Sequence, residues 1–362
     1  MIGNERDTGR YTEAITQLEI ADQIGHWASR ATEVAAIAAA ITAGYGDKKA
    51  SDQKAVEAMR TYLNRLPITG RVVVGEGEKD EAPMLFIGEI VGSDNLPNRV
   101  FQLPLSFPDY PRLRLDIAVD PLEGTNATAD LKERASSVLV MTEFGGIFPL
   151  DHTIQYMDKL MVGPEAKGKV NIDAPVEENV AAIAKSLDRK ISDVAIVVLK
   201  RDRNAELIKR IRSFGARVMA VEYGDLMPGV LTAARGSNID AVMGIGGAPE
   251  GVLSAAALKV LGGEVQARAW AEKGEKMQRL LDAGVDFEKV YTHEDLVPGK
   301  MIVFSATAVT NNERVLEGVR FFGGGARTNT LLIASVNGTV HISLIDPTLG
   351  VDNIAGFPYR LS

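Results

Sequence analysis

The sequence predicts an α/β protein in which helices cover a parallel β-sheet. Between residues 194 and 261, short apolar runs alternate with helical segments and short loops, a pattern typical of repeated βα units. The pattern changes at 163–180, where Gly and Pro residues interrupt the chain. A length of 362 residues suggests two domains or two fused halves, each large enough for its own hydrophobic core.

The N-terminal part is predicted to begin with helices. Apolar positions recur at steps of three and four between 11 and 44, which predicts one or two helices ending at Gly44 and Gly46. The further elements expected in this part are a helix at 51–64 with Ser51 or Asp52 near its N-cap, a strand at 71–74, a helix at 81–92, a proline-rich loop at 93–112, a strand at 113–119 and a hairpin at 136–149 around Gly145-Gly146.

The C-terminal part is predicted to contain the βα repeats followed by a short tail. The expected strands are 194–199, 217–221, 239–243, 301–304 and a group near 331–345. The expected helices are 203–214, 225–235, 252–261 and 271–283.

Composition excludes several classes of protein. The chain has 40 basic and 48 acidic residues, a net charge of −8, four histidines and no cysteine. It therefore has no disulfide framework, thiolate nucleophile, iron–sulfur cluster or Cys-ligated zinc. A net acidic chain lacks the basic surface that broad nucleic-acid binding requires, so no nucleic-acid partner is expected.

No targeting or membrane segment is expected. The polar start MIGNERDTGRYTEA does not resemble a signal peptide. The longest apolar stretch, at 34–46, has 13 residues, short of the roughly 20 that span a bilayer. We therefore expect a cytoplasmic protein with no membrane partner.

Three short segments combine acidic residues with glycine beside predicted strands. They are GEGEKDE at 75–81, DPLEGT at 120–125 and GIGGAPEG at 244–251. Because ligands of open α/β sheets bind beyond the carboxyl ends of strands, we expect these turns to converge on one site. Each segment alone has a simpler explanation: a solvated acidic turn, a strand exit shaped by Asp and Gly, or a dinucleotide-type glycine loop, respectively.

The segment 120–125 has the composition of a phosphate-handling metal site. Mg²⁺ is typically held by one or two carboxylates together with substrate phosphate oxygens. Pro121 separates Asp120 from Glu123 and directs the chain out of the strand. Gly124 permits close backbone approach, and Thr125 stands at an expected helix start whose N–H groups suit a phosphate. A two-metal site of this kind can clamp a phosphoryl group during displacement.

A basic cluster follows the strand at 194–199. In Lys200-Arg201-Asp202-Arg203, the two guanidinium groups are suited to a second, non-reacting phosphate through bidentate hydrogen bonds. Taken alone, the cluster is better explained as a solvated turn.

Six segments together resemble one known family. They are KKASDQKAVEAM, VVVGEGEKDEAPMLFIGE, DIAVDPLEGT, YMDKLMVGPEAKG, GIGGAPEGVLSAAALK and FSATAVT. The set is similar to the class II, bacterial-type fructose-1,6-bisphosphatases of the lithium-sensitive, metal-dependent phosphatase superfamily, from about residue 20 to 345. The resemblance implies a layered αβαβα sugar-phosphatase fold of two fused α/β halves. These would be an N-terminal metal and phosphatase half at 1–165 and a C-terminal half at 166–362, with the active site at their interface.

The resemblance also implies the site residues. The ligands of one metal ion would be Asp52 and Glu76, and those of the other Asp120, Glu123 and Glu250. Our own mechanistic hypothesis adds that Thr125 orients the attacking water and that Glu78 or Asp80, in the same turn as Glu76, accepts its proton. The implied substrate-binding residues are Glu123, Gly124, Thr125, Tyr156, Arg201, Asp202, Arg203, Tyr223, Gly224, Asp225 and Gly247.

The chain departs from the family pattern at four places. Where the family commonly has an Asp-Gly-Asp turn for the sugar hydroxyls, this chain has Tyr223-Gly224-Asp225, which leaves the exact sugar open. The loop at 93–112 is longer than expected, the stretch LKERASS is divergent, and the N-terminus has roughly twenty additional residues. None of these departures falls on an implied metal ligand.

The resemblance implies metal-dependent hydrolysis of the 1-phosphate of fructose 1,6-bisphosphate to fructose 6-phosphate, a reaction of gluconeogenesis. It implies two or more Mg²⁺ or Mn²⁺ ions per site, a sugar bisphosphate substrate and a homodimer or homotetramer. The alternatives are a sedoheptulose-1,7-bisphosphatase or dual activity, an inositol-phosphate phosphatase, or a non-catalytic regulator that binds sugar phosphates.

Overall fold

A computed structural model describes residues 4–76, 84–93, 113–234, 236–312, 315–336 and 338–350. The helices in these ranges are α1 (Asn4–Ala40), α2 (Lys48–Leu63), α3 (Thr125–Ala129), α4 (Val176–Ser186), α5 (Ala205–Ser213), α6 (Leu226–Leu231), α7 (Ala248–Leu261), α8 (Glu275–Asp282) and α9 (His293–Leu296). The strands are β1 (Ile68–Val74), β2 (Ile90–Val91), β3 (Leu113–Glu123), β4 (Ser136–Glu143), β5 (Tyr156–Val162), β6 (Ala195–Leu199), β7 (Arg217–Val221), β8 (Ala241–Gly247), β9 (Glu264–Trp270), β10 (Tyr291–Thr292), β11 (Ile302–Ala308), β12 (Arg320–Phe322), β13 (Gly325–Arg327), β14 (Thr330–Val336), β15 (Thr339–Ile345) and β16 (Thr348–Gly350).

The larger sheet has seven strands in the order β15–β14–β11–β4–β3–β1–β2. β1 and β3 run parallel, and the other neighbouring pairs are antiparallel. α1 and α2 cover one face of this sheet, where Trp27 and Met59 share a buried cluster with Ile117 and Met141. The alanine-rich sequence of α1 allows this close approach, because Ala28, Ala31 and Ala35 are fully buried.

The second sheet has six strands in the order β10–β9–β5–β8–β6–β7. α4 and α5 cover its outer face through a cluster that includes Val180, Ile183, Ile196 and Ile211. A third sheet, β12–β13–β16, is small and lies apart from these two.

α6 and α7 form the layer between the two large sheets. Their buried side chains share one cluster with Val140 and Phe304 of the first sheet and with Met157 and Val242 of the second. α7 is apolar on every side, which is the pattern of a helix buried all round. The layers therefore follow the order αβαβα, which confirms the expected α/β layered fold.

The parallel-sheet prediction is correct for three strands. β7, β6 and β8 are mutually parallel. β5, which comes from an earlier part of the chain, lies between β8 and β9 and is antiparallel to both. The sheet is therefore mixed.

Two predicted elements of the N-terminal part are wrong. Within the expected helix at 81–92, the described residues 84–92 contain no helix, since Gly88 adopts φ +90° and β2 pairs with β1 instead. The expected hairpin at 136–149 is absent because β4 ends at Glu143 and is already paired on both sides, with β3 and β11. The expected loop at 93–112 lies, except for Ser93, outside the described residues.

Several element ends also differ from the prediction. α1 is one continuous helix, and α2 begins at Lys48 with Asp47 as its N-cap, so Ser51 and Asp52 lie inside the helix. The strand expected to stop at Val119 continues to Glu123. α7 begins at Ala248, which places Glu250 in its first turn.

The division at 165/166 stays a prediction about domains. β5 precedes this boundary but belongs to the second sheet, and 302–345 returns to the first sheet as β11, β14 and β15. In the part of the chain that the structure describes, no helix is long and apolar enough to cross a membrane.

Candidate active site

Four segments place their acidic side chains around one cavity of about 220 Å³. The segments are α2, the end of β1, the end of β3 and the start of α7. We call this space the carboxylate cavity; its lining residues are Asp52, Gly75, Glu76, Val119, Asp120, Leu122, Glu123, Gly124, Thr125, Pro249 and Glu250. The structure therefore brings together all five residues predicted as metal ligands.

A β-bulge explains how Asp120 and Glu123 reach the same cavity. In a regular strand, residues three apart point to opposite faces. Between Asp120 and Glu123, β3 contains one more residue than the facing part of β4, where these residues pair with Val138 and Ser136. The extra residue restores the common face. Pro121 lies inside this irregularity, where it costs no regular ladder hydrogen bond.

The strand ends at Gly124, which adopts φ +81° and is the N-cap of α3. A Cβ there would lie 2.8 Å from the Arg134 carbonyl oxygen. Thr125 follows as the first residue of α3, and its hydroxyl donates to the Leu122 carbonyl at 3.2 Å. The helix start expected at Thr125 is thus present.

Glu123 is also fixed from the second half of the chain. The Leu226 backbone N–H donates to Glu123 Oε1 at 3.2 Å. Leu226 opens α6, directly after the turn Tyr223-Gly224-Asp225. This turn therefore lies behind Glu123, and the lining of the carboxylate cavity includes none of its three residues.

The glycines of the third acidic segment let carboxylates approach the backbone. A Cβ on Gly247 would overlap Glu250 Oε2 and lie 2.6 Å from its Cδ. A Cβ on Gly246 would overlap Asp225 Oδ2. Gly247 thus lies behind the Glu250 carboxylate, outside the lining of the cavity.

Sequence reasoning missed one buried cation beside the site. Lys159 Nζ lies 2.6 Å from Asp225 Oδ2, and the Lys159 side chain is fully buried. Asp225 is buried with it, so its carboxylate is already paired. The available signal was a lysine at the centre of the otherwise mostly apolar run YMDKLMV.

Burial raises the pKa of each of the five carboxyl groups, and neighbouring carboxylates add to the shift for some of them. Desolvation, followed by the charges of Asp52 and Glu250, raises the pKa of Glu76 to about 7. Desolvation and the charges of Glu250 and Asp225 raise the pKa of Glu123 to about 8, although the Leu226 hydrogen bond and Lys159 oppose this.

The other three pKa values shift in the same direction. Desolvation is the largest cause for Asp52, Asp120 and Glu250. The neighbouring carboxylates add to the upward shift of the Asp120 pKa, whereas Lys159 opposes that of Glu250. Each of these groups therefore favours a nearby cation.

The residues of the carboxylate cavity fit hard divalent ions. All their side-chain donors are oxygen atoms, and Glu250 Oε2 is buried without a hydrogen-bond partner. No three acidic or histidine side chains among the described residues form a ready-made site for a single ion. The set of Asp120, Glu123 and Glu250 implied for one ion is therefore not pre-assembled and stays a prediction, whereas Mg²⁺ is commonly held by one or two carboxylates and completed by water and phosphate oxygens.

A larger cleft of about 950 Å³ adjoins the carboxylate cavity and shares Gly75 and Pro249 with it. We call it the basic cleft. Its lining includes Tyr156, Arg201, Asp202, Arg203 and Trp270. The predicted distal-phosphate residues therefore line a cleft next to the cavity that the acids line.

Within the basic cleft, the guanidinium of Arg203 is held by aromatic rings. Its Cζ lies 4.5 Å from the centroid of the Tyr156 ring and 5.9 Å from that of Trp270. Arg201 is exposed, and its Cζ lies 6.0 Å from the Tyr223 ring centroid. Trp270 was not predicted from the sequence. Glu78 and Asp80, predicted to accept the proton, lie outside the described residues.

Comparison with known proteins places this chain in a family. The sequence profile described as bacterial fructose-1,6-bisphosphatase, glpX-encoded, matches residues 23–345. A Synechococcus sp. protein named D-fructose 1,6-bisphosphatase class 2/sedoheptulose 1,7-bisphosphatase is 46% identical, over 85% of this chain and 90% of its own length. A Gloeobacter violaceus protein of the same name is 42% identical, over 87% and 94% respectively.

The profile spans the segments that build the carboxylate cavity and the basic cleft. The family consists of metal-dependent phosphatases, in agreement with the all-oxygen donor set of the cavity. The chain belongs to the class II, glpX-encoded bacterial fructose-1,6-bisphosphatase family.

Proposed function

We propose that this protein hydrolyses the 1-phosphate of fructose 1,6-bisphosphate, giving fructose 6-phosphate and phosphate, with two or more Mg²⁺ or Mn²⁺ ions. The observation that supports this most is the adjacency of the carboxylate cavity and the basic cleft, which share Gly75 and Pro249 in their linings. A sugar bisphosphate can place one phosphate at the acids and the other at the arginines. A substrate with a single phosphate cannot use both.

The acidic residues have a defined task in this proposal. Asp52, Glu76, Asp120, Glu123 and Glu250 would hold the ions, which when bound lower the pKa of a water and neutralise charge on the phosphoryl group. The backbone of Gly124 and Thr125 would bind phosphoryl oxygens. The Thr125 hydroxyl, which lines the cavity, would orient the attacking water. Glu78 or Asp80 as the proton acceptor remains a prediction.

The basic cleft would bind the phosphate that does not react. Arg203 offers a planar guanidinium already held on aromatic rings, and Arg201 lies exposed beside it. A lysine would supply charge, but a guanidinium also matches two phosphate oxygens at once. Because Asp225 is paired with Lys159, we assign the contact with the sugar to Tyr156, which lines the basic cleft.

Phosphate release from a panel of substrates tests the proposal. The panel is fructose 1,6-bisphosphate, sedoheptulose 1,7-bisphosphate, fructose 6-phosphate and inositol 1-phosphate, each with Mg²⁺ or Mn²⁺. We expect both bisphosphates to be hydrolysed far faster than either monophosphate. Preference for inositol 1-phosphate would contradict the proposal, and tight sugar-phosphate binding without phosphate release would indicate a regulator instead.

Glu123→Gln gives the matched negative control, because the amide retains the size and the acceptor oxygen for Leu226 but loses the charge. Losing a stabilising metal contact worth several kcal/mol should lower kcat by roughly 1,000-fold while the protein still folds. Glu143→Gln alters a carboxylate that accepts backbone hydrogen bonds from Lys300 and Met301, away from the site, and should leave kcat unchanged.

Sedoheptulose 1,7-bisphosphate is a second candidate substrate. The relatives from Synechococcus sp. and Gloeobacter violaceus carry both activities in their names. The basic cleft, at about 950 Å³, is at the upper end of small-molecule pockets and has room for a longer sugar. A cytoplasmic location, a role in gluconeogenesis and a homodimeric or homotetrameric assembly remain predictions.

A further inference from the structure

Among the described residues, Lys159 is the largest by volume whose side chain is fully buried. It lies near the middle of β5, and fully buried lysines are rare unless they are paired. Lys159 lines neither the carboxylate cavity nor the basic cleft. We therefore expect it to influence the reaction through other residues and not by contact with the substrate.

The ammonium group joins the starts of two helices. Lys159 Nζ lies 2.6 Å from Asp225 Oδ2, and Asp225 is the N-cap of α6. The same Nζ donates to the Gly247 carbonyl at 3.0 Å, and Gly247 is the N-cap of α7. One buried cation thus fixes two helix starts relative to each other.

Each of these helix starts positions a different predicted metal ligand. Leu226, next to Asp225, donates its N–H to Glu123 Oε1 at 3.2 Å. The Glu250 carboxylate lies against Gly247, so closely that a Cβ there would overlap Oε2. The contacts run continuously from Lys159 to both carboxylates.

The aliphatic part of Lys159 is guided by glycines. A Cβ on Gly251 would lie 3.3 Å from Lys159 Cδ, and one on Gly246 would lie 2.9 Å from its Cε. The side chain therefore passes between β8 and α7 through space that larger residues would fill. This path leaves the ammonium little freedom to choose other partners.

We propose that Lys159 is a positioning residue of the metal site, which sets the relative placement of Glu123 and Glu250 by tying together the starts of α6 and α7. This inference rests on the proposed function, because it assumes that these two carboxylates bind metal. A buried ion pair is weak evidence for stability as such. Orientation of ligand carboxylates is the role that its contacts indicate.

Lys159→Met tests the inference, since methionine has a similar length and neither charge nor donor. Mn²⁺ binding to the chelator-treated protein is measured by calorimetry, and thermal unfolding is followed in parallel. Loss of a residue that orients metal ligands should lower Mn²⁺ affinity by about 10- to 100-fold. The Mn²⁺ concentration that half-saturates activity should rise in parallel.

Lys259→Met is the matched control. Lys259 is also largely buried and also makes two contacts, with Glu294 at 2.6 Å and the Val297 carbonyl at 2.8 Å, but at the far end of α7. This variant should lose thermal stability and retain its Mn²⁺ affinity. If both variants lose stability and both bind Mn²⁺ normally, Lys159 has only a structural role and the inference is wrong.

The double variant Lys159→Met/Asp225→Asn distinguishes positioning from charge balance. It leaves no unpaired buried charge, and so also serves if Lys159→Met alone does not fold. Positioning predicts that its Mn²⁺ affinity stays low; recovery to the unaltered value would overturn the inference. Absence of Mn²⁺ binding in the unaltered protein would instead overturn the proposed metal site itself.

Discussion

The guanidinium of Arg203 lies on the face of the Tyr156 ring, with Cζ 4.5 Å from the ring centroid. Its Nε also donates to the Ile245 carbonyl at 3.4 Å, at the end of β8. β5 and β8 are neighbours in the sheet, and Tyr156 pairs with Gly247. Arg203 and Tyr156 therefore meet at the same strand ends that place Gly247 against the Glu250 carboxylate. This contact connects the predicted distal-phosphate residue to the strands that support the predicted metal site.

Arg203→Lys should raise KM for fructose 1,6-bisphosphate by about 10-fold or more with little change in kcat. Lysine keeps the charge but loses the bidentate geometry, and hydrogen bonds to charged groups are worth roughly 1.5–3 kcal/mol. Steady-state kinetics at saturating Mg²⁺ measures this. Arg210→Lys, which alters a surface pair with Glu177, should leave KM unchanged. An unaltered KM in Arg203→Lys would exclude Arg203 from phosphate binding.

Trp270→Leu should raise KM about 2- to 5-fold with kcat retained, because the indole ring is the second aromatic ring beside the Arg203 guanidinium, with Cζ 5.9 Å from its centroid. Trp270 meets Tyr156 edge to face, with ring centroids 6.3 Å apart. Cation–π contacts are worth about 0.5–1 kcal/mol at exposed sites. Trp270→Phe keeps an aromatic face and should therefore recover much of the affinity. If Trp270 had only a structural role, its replacement would lower stability and not change KM alone.

The sequence was sufficient to predict which acidic residues line one cavity, but not the backbone geometry that brings them together. Acids beside glycines at three strand ends predicted one site, and the five acidic positions do line one cavity. The β-bulge that turns Asp120 and Glu123 to a common face could not be predicted, because it depends on pairing with β4, a strand from a later part of the chain.

Pairing between strands that are distant in the chain also explains why two residues beside the site were not predicted from the sequence. Periodicity predicted β6, β7 and β8 as one parallel unit, yet β5 also enters this sheet, antiparallel to β8 and β9, and these pairings bring Lys159 and Trp270 to the predicted Tyr156. Neither a lone lysine in an apolar strand nor a tryptophan after a strand shows its partner in the local sequence. Their roles follow from contacts between strands that are distant in the chain.

Gly247→Ala should disable the site without unfolding the protein. Gly247 has φ −63°, which alanine adopts without strain, so the effect is steric: the new Cβ would overlap Glu250 Oε2. Displacing that carboxylate should lower kcat and raise the Mn²⁺ requirement. Gly323→Ala adds a methyl group where nothing lies within 4 Å, and it should behave as the unaltered protein. Normal Mn²⁺ activation of Gly247→Ala would argue against Glu250 as a ligand.

Rising pH should destabilise the chelator-treated protein between about pH 4.5 and 8. In the folded chain the pKa of Glu76 is raised to about 7 and that of Glu123 to about 8, from 4.5. Over this range the folded state retains protons that the unfolded state has released, so the free energy of unfolding falls as pH rises. Urea unfolding at pH 5, 6, 7 and 8 measures this slope.

Mg²⁺ should remove most of that slope, because cations displace the same protons and stabilise the ionised carboxylates. The stabilisation by Mg²⁺ should therefore be larger at pH 8 than at pH 5. Glu33 in α1, whose pKa burial raises to about 7, adds a slope of the same sign that Mg²⁺ cannot remove, and Glu33→Gln eliminates it. Burial lowers the pKa values of His26 and His293, which adds a slope of the opposite sign that Mg²⁺ also leaves in place. The difference between the slopes measured without and with Mg²⁺ therefore reports the site, and equal slopes in Glu33→Gln would show that these carboxyl groups do not retain protons together.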